Sequence, residues 1–147
     1  MELLQLAALD AEDLTVVSAH LQDAVLRADD LAYLKGERRF ALAARRFDWT
    51  APADQPRRRL TGVHFERVLA VRSRGLAPGG EATLSLLAVT FNPGEAPSGT
   101  VTLIFSGEAA IQLDVECVEV RMKDLGPVWE AEGRPAHEPD REAAPPA

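Results

Sequence analysis

A chain of 147 residues, 46% hydrophobic and 27% charged with a net charge of −7, amounts to one soluble domain, long enough to bury a core. No run of eighteen apolar residues is present, which excludes a helical membrane span, and a single cysteine, Cys117, excludes an internal disulfide or a cysteine-based metal cluster. The N-terminus, MELLQLAALDAEDL, lacks the basic start and long apolar core of a secretory signal, so a cytoplasmic location is expected.

Leu3, Leu4 and Leu6 predict a short first strand over residues 2–8. Asp10 then suits a helix N-cap with Asp13 at N3, where a carboxylate meets the free N–H groups. Leu14, Val17 and Leu21 follow at helical spacing and place a helix over 11–22. Ala24–Arg27 and Leu31–Leu34 read as two short strands, or one strand kinked at Asp29-Asp30, and Lys35-Gly36-Glu37 is a hairpin-sized turn.

A long strand comes next, with Phe40, Leu42 and Ala44 on one face and Arg39 and Arg45 on the other. The alternation changes phase by Phe47 and Trp49, and a β-bulge near Arg45 is the economical explanation. After the proline-containing loop 51–56, residues 60–74 read as one fifteen-residue strand, long enough that it should bend or bulge. Pro78-Gly79-Gly80 is a turn, residues 82–91 are apolar on both faces as in a central strand, and 92–98 form a loop.

The clearest local signal follows. Val101, Leu103 and Phe105 alternate with polar residues, Gly107-Glu108 turns the chain, and Ile111, Leu113 and Val115 alternate again, which predicts a half-buried antiparallel hairpin. Beyond it, Val118, Met122 and Leu125 are spaced four and three, with Glu116 and Glu119 ahead of Arg121 and Lys123, and Gly126-Pro127 ends the run. These end signals favour a helix over 116–125; the competing strand reading puts Val118, Val120 and Met122 on one face. Residues 131–147 are rich in proline, alanine and glutamate and read as a disordered tail, leaving 1–130 as the domain.

The expected fold is therefore α+β: a curved, mainly antiparallel sheet or half-open barrel of about seven strands. An N-terminal helix and a C-terminal capping helix complete it, in an arrangement that would suit a pleckstrin-homology-like domain. The ordered motifs LAALDAEDLTVVSAHLQDAVLR, DLAYL, ERRFAL, RRFDW, RRRLTGVHFERVLAVRSRG and GTVTLIFSGEAAIQLDVECVEVRMKDLGPVW span residues 2–130. Together they resemble the DUF2948 family, small alphaproteobacterial proteins of unknown function. The resemblance implies no activity, cofactor or site residue.

Signatures of chemistry are absent from the sequence. His20 lies at the shoulder of the helix's apolar face, and His64 shares a strand face with Glu66, an acid–base pair in principle but a cross-strand polar contact in the ordinary case. His137 falls in the tail. No HxH, HExxH, CxxC, GxSxG, P-loop or GxGxxG pattern occurs, so no metal, cofactor or catalytic residue is expected. Cys117, at the end of the hairpin, suits an inert core position.

Charge is the best guide to partners. Residues 1–34 carry a net −6, residues 35–74 a net +7 and residues 75–147 a net −8. Basic strands paired with acidic ones explain this as well as a positive surface does, and more economically. Where the arginines are free, Arg57-Arg58-Arg59 with Arg45, Arg46 and Arg67 would form a face for an acidic protein segment or a phosphate-bearing ligand. The expected role is a small interaction or adaptor module. The alternative is a regulatory or structural subunit of a partner enzyme. A nucleic-acid binder ranks lower because the pI is about 5.0, and an enzyme ranks lowest.

Overall fold

A computed structural model describes residues 4–76 and 83–130. Among them are ten strands and one α-helix in the order β1 (Gln5–Ala8), α1 (Ala11–Leu21), β2 (Ala24–Arg27), β3 (Leu31–Leu34), β4 (Arg39–Phe47), β5 (Arg57–Phe65), β6 (Val68–Arg74), β7 (Thr83–Pro93), β8 (Gly99–Phe105), β9 (Ala110–Val115) and β10 (Val120–Glu130). The strands form an open sheet ordered β1-β10-β5-β4-β2-β7-β8-β9-β6, with β3 also paired to β4. Every described pair is antiparallel. The expected turn at Pro78-Gly79-Gly80 and the tail lie outside the described residues.

Helix α1 starts as its sequence dictates. The Asp10 side chain accepts a hydrogen bond from the Asp13 amide at 2.7 Å, and the Asp13 carboxylate accepts one from the Leu9 amide at 3.4 Å. Leu14, Val17 and Leu21 are buried against the sheet, chiefly β7. The predicted hairpin is β8 and β9, and all six of its alternating apolar residues join the core.

The fifteen-residue strand divides in two. Strands β5 and β6 are separated only by Glu66 and Arg67, and both halves pair with the continuous run β9–β10. The result is one long ribbon kinked in the middle, where residues 66–67 face residues 116–119. The Glu66 amide donates to the Glu119 carbonyl at 2.9 Å, and the Glu116 amide to the Arg67 carbonyl at 3.0 Å. Arg67 sits in the left-handed region at φ 57°, which lets the chain turn there. This kink curls the sheet far enough to bring β6 to the opposite edge from β1.

Three expectations change. The capping helix expected over 116–125 does not form there: β10 is a strand clamped between β1 and β5, and Val118, Val120, Met122 and Asp124 are buried in strict alternation. Valines suit that pleated position, and two neighbouring strands satisfy a backbone that a helix would have had to satisfy alone. Of the charges that resembled helix ends, Glu116 and Glu119 take Arg38 and Arg67 across the kink, and Arg121 and Lys123 stand exposed on the strand's outer face. The pleckstrin-homology-like expectation depended on that helix, and about seven strands become ten.

Nor does a bulge occur at Arg45. Strands β4 and β5 pair without a slip from Phe40↔Phe65 to Phe47↔Arg58. The inward phase of Phe40, Leu42 and Ala44 simply continues through Arg46, which is 2% exposed. A bulge sits in β7 instead, between Leu86 and Ala88. It turns both Leu86 and Val89 to the core and leaves Leu87 outside, and the Val89 amide donates to Ser18 Oγ of α1 at 2.9 Å. Apolar residues on both faces of β7 thus reflect a phase change rather than full cover on two sides.

Gly99 opens β8 where it meets the end of β7. A Cβ built there would lie 2.5 Å from the Asn92 carbonyl oxygen and closer still to the Phe91 ring. Gly99→Ala is expected to destabilise the domain by about 1–3 kcal/mol through overpacking, read as a lower urea midpoint; an unchanged midpoint would show that the strands splay without cost.

Candidate functional site

Strand alternation sorts the six candidate arginines into separate environments. On the inner face of β4 and β5, beyond the last apolar residues, Arg46 and Arg59 project into the end of the core. Arg46 makes a two-pronged contact with Asp124 of β10, Nε to Oδ1 at 2.9 Å and Nη2 to Oδ2 at 2.8 Å. Asp124 is fully buried and also accepts from Thr61 Oγ1 at 2.7 Å and from the Leu4 amide at 2.9 Å. Burial alone would raise its pKa, but these bonds and the Arg46 charge hold it below the usual carboxylate range.

Arg59 donates from Nε to Asp48 Oδ2 at 2.8 Å, and Arg57 stands 3.9 Å from the same oxygen. The other Asp48 oxygen accepts from the Thr50 hydroxyl at 2.7 Å and the Thr50 amide at 3.1 Å. Burial works against ionisation here too, yet the Thr50 and Arg59 bonds bring the pKa down to about 2. Above this cluster, His20 of α1 is half-buried, and burial together with the Arg46 charge lowers its pKa. The two buried carboxylates at this polar end of the core are fully engaged and structural, whereas His20 Nδ1 and Arg57 Nε are buried there without a hydrogen-bond partner among the described residues.

Arg58 points the other way and acts as a staple. Its Nη1 donates to the Arg45 carbonyl at 2.9 Å and the Asp23 carbonyl at 3.3 Å, and its guanidinium lies 5.9 Å from the Phe47 ring centre. Trp49 packs edge-on to Phe47 at 4.7 Å. Arg67 is exposed at the ribbon kink, bonded to Glu119 at 3.0 Å and 3.6 Å from Glu116. Around it Arg38 meets Glu116, Arg39 meets Glu66 and Glu37, and Arg121 stands 4.0 Å from Glu119. Four arginines and four glutamates leave this network neutral. The shallow cleft of about 240 Å³ between them is lined by groups already paired.

The structure therefore does not bring the six arginines together as one face. Nor does it join His64 to Glu66: β5 ends at Phe65, His64 stays exposed on the outer face, and Glu66 takes Arg39. Cys117 lies half-buried in the kink, outside the apolar core.

A different basic surface emerges on the outer face of β10, β5 and β4. Cross-strand register sets Arg121 beside His64 and Ala41, then Lys123 beside Gly62 and Ala43, with Arg45 beside Leu60. Arg121, His64 and Lys123 are exposed, and Arg45 is half-buried. Among the described residues, Arg45, His64 and Lys123 have no carboxylate partner. Arg121 and Lys123 escaped sequence reasoning because a helix was assigned to them; strand alternation from Val118 onward would have paired them on one face.

The family model described as a protein of unknown function, DUF2948, matches residues 4–137. The chain belongs to that family. No curated protein and no solved structure matches it, so any role for this DUF2948 chain is argued from its own residues. No group of three or more potential metal ligands occurs among the described residues, and no described helix is long and apolar enough to cross a membrane.

Two outcomes follow from the buried charges. Asp124→Asn should cost about 3–5 kcal/mol, because it strands Arg46 in the core, whereas the double change Arg46→Met/Asp124→Leu should restore much of that loss; chemical denaturation of the three proteins checks both. For Asp48, the ordinary pKa of 3.8 falls to about 2 on folding. Its contribution, about 2 kcal/mol, is thus complete above the unfolded value and lost as pH drops from about 4 to 2. Asp48→Asn should flatten the urea midpoint across that window; a variant as acid-sensitive as wild type would refute it.

Proposed function

We propose that this DUF2948 chain is a small cytoplasmic interaction module that holds an acidic protein partner on the outer face of β10, β5 and β4. The observation that carries this reading is the segregation of charge. Inside the sheet and at the kink, arginines are matched by carboxylates, while Arg45, His64 and Lys123 share one face with Arg121 and have no carboxylate partner among the described residues. A protein of net charge −7 has many alternatives for placing bases beside acids. A face that forgoes them is suited to an anionic surface, with attraction that steers encounter and weakens as salt screens it.

An acidic protein segment fits better than a nucleic acid. The net negative charge of the whole chain opposes a long polyanion. Single-strand binders also interleave bases with exposed aromatic platforms, whereas Phe47 is buried and Trp49 packs against it. Of the six arginines first considered, Arg45 and Arg58 border this face, and Arg46, Arg57, Arg59 and Arg67 are engaged in ion pairs.

Arg121→Glu/Lys123→Glu should leave the thermal midpoint nearly unchanged, since both side chains are exposed. Binding of a fluorescent oligoglutamate peptide, followed by anisotropy at low and moderate salt, should be salt-sensitive in the wild type and lost in the double variant. Arg74→Glu, on the opposite edge strand, should bind as the wild type does. Equal binding by wild type and double variant would remove the proposal.

A further inference from the structure

We infer that the segment held on this face is extended, with two carboxylates and then an apolar residue at alternate positions, laid along β10. This rests on the basic face being the docking surface. The outward residues of β10 read in order Arg121, Lys123 and Leu125, all exposed, while Val120, Met122 and Asp124 between them are buried. Alternate residues of a strand rise about 6.6–6.8 Å and point the same way. Strand β10 therefore displays cation, cation and apolar group in order on its outward face, with Leu125 at the point where the ladder to β5 becomes irregular, between Asp124 and Val128. An extended peptide has the same repeat and meets all three with consecutive outward side chains.

The flanks of the column leave room for a chain. Gln5 and Ala7 of β1 stand beside Lys123 and Arg121 on one side, and Gly62 and His64 of β5 on the other, with Ala43 and Ala41 of β4 beyond them. Leu125 is 54% exposed, the second most exposed of the large apolar side chains on the described surface, and it leans over Gly62, where an added Cβ would come within 3.3 Å of its Cδ1. Gly62 thus gives Leu125 a fixed seat beside the two cations. Charge at two positions and an apolar contact at the third is a pattern that simple polyanion attraction would not need.

Three probes at matched charge separate the possibilities: a peptide with the repeat Glu-Ser-Glu-Ser-Leu, a peptide of the same composition with its glutamates adjacent and its leucine displaced, and an oligothymidylate. The alternating peptide should bind the wild-type chain at least about fivefold more tightly than its rearranged counterpart, and Leu125→Asn should erase that preference while leaving salt-sensitive binding in place. A Leu-to-Ser change in the peptide should do the same with the protein untouched, which guards against a misfolded variant. Equal affinity for the two peptides would overturn the extended register yet leave the basic face standing. Failure of both peptides to bind, or tighter binding of the oligothymidylate, would overturn the acidic-segment reading itself.

Discussion

The Arg46–Asp124 ion pair constrains more of this molecule than any other contact. It joins β4 to β10 across β5, and the two carboxylate oxygens also take up Thr61 of β5 and the backbone of Leu4 ahead of β1. Four adjacent segments of the sheet thus converge on one carboxylate. A buried pair of this kind is seldom a large net gain over well-packed apolar residues, because both charges lose their water. Its effect is on register. A slip of one residue along β4 or β10 would expose one charge and bury the other without a partner, so the alternative alignments of these strands are penalised heavily.

The same constraint explains the charge map of the chain. The basic middle does not mark one continuous surface. Arg46 meets Asp124, Arg72 meets Asp114, and Arg38 and Arg67 meet Glu116 and Glu119. The kinked ribbon lays the basic run of β5–β6 along the acidic run of β9–β10, so the strong segmental charges largely cancel where they touch. What is left over stands on the outer face. There Arg121 and Lys123, two of the few bases of an acidic C-terminal third, join Arg45 and His64 from the basic middle.

Much of the fold was legible because local periodicity and burial agree. The capped helix, the two short strands after it and the β8–β9 hairpin all carry patterns that need no distant partner to interpret. The misjudged elements depended on long-range pairing. Arg46 looked like an outward residue forced by a bulge, since an arginine among core positions makes sense only once Asp124 is beside it. Residues 116–125 carried charge at both ends in the order a helix prefers, and only the presence of β1 and β5 on either side makes a strand the better solution. The candidate site was missed for the same reason, since Arg121 and Lys123 become neighbours of His64 and Arg45 only through that strand. Arginine counts alone favoured Arg57, Arg58 and Arg59, of which Arg59 is a core residue held by Asp48.

Leu4 and Asp124 hold each other twice: the Leu4 amide donates to the carboxylate, and the Asp124 amide donates to the Leu4 carbonyl. They are 120 residues apart in the chain. During synthesis, the first segment of the sheet to leave the ribosome must therefore wait for nearly the last, since β1 has no described partner except β10. Closing so long a loop is slow relative to local pairing. The order of events implied is a hairpin-rich half built around β7, β8 and β9, then the ribbon, and the N-terminal strand last. Until that step the newborn chain carries a first strand whose backbone edge has no strand partner, and the interval before β10 emerges is one of exposure to aggregation or to capture by a chaperone.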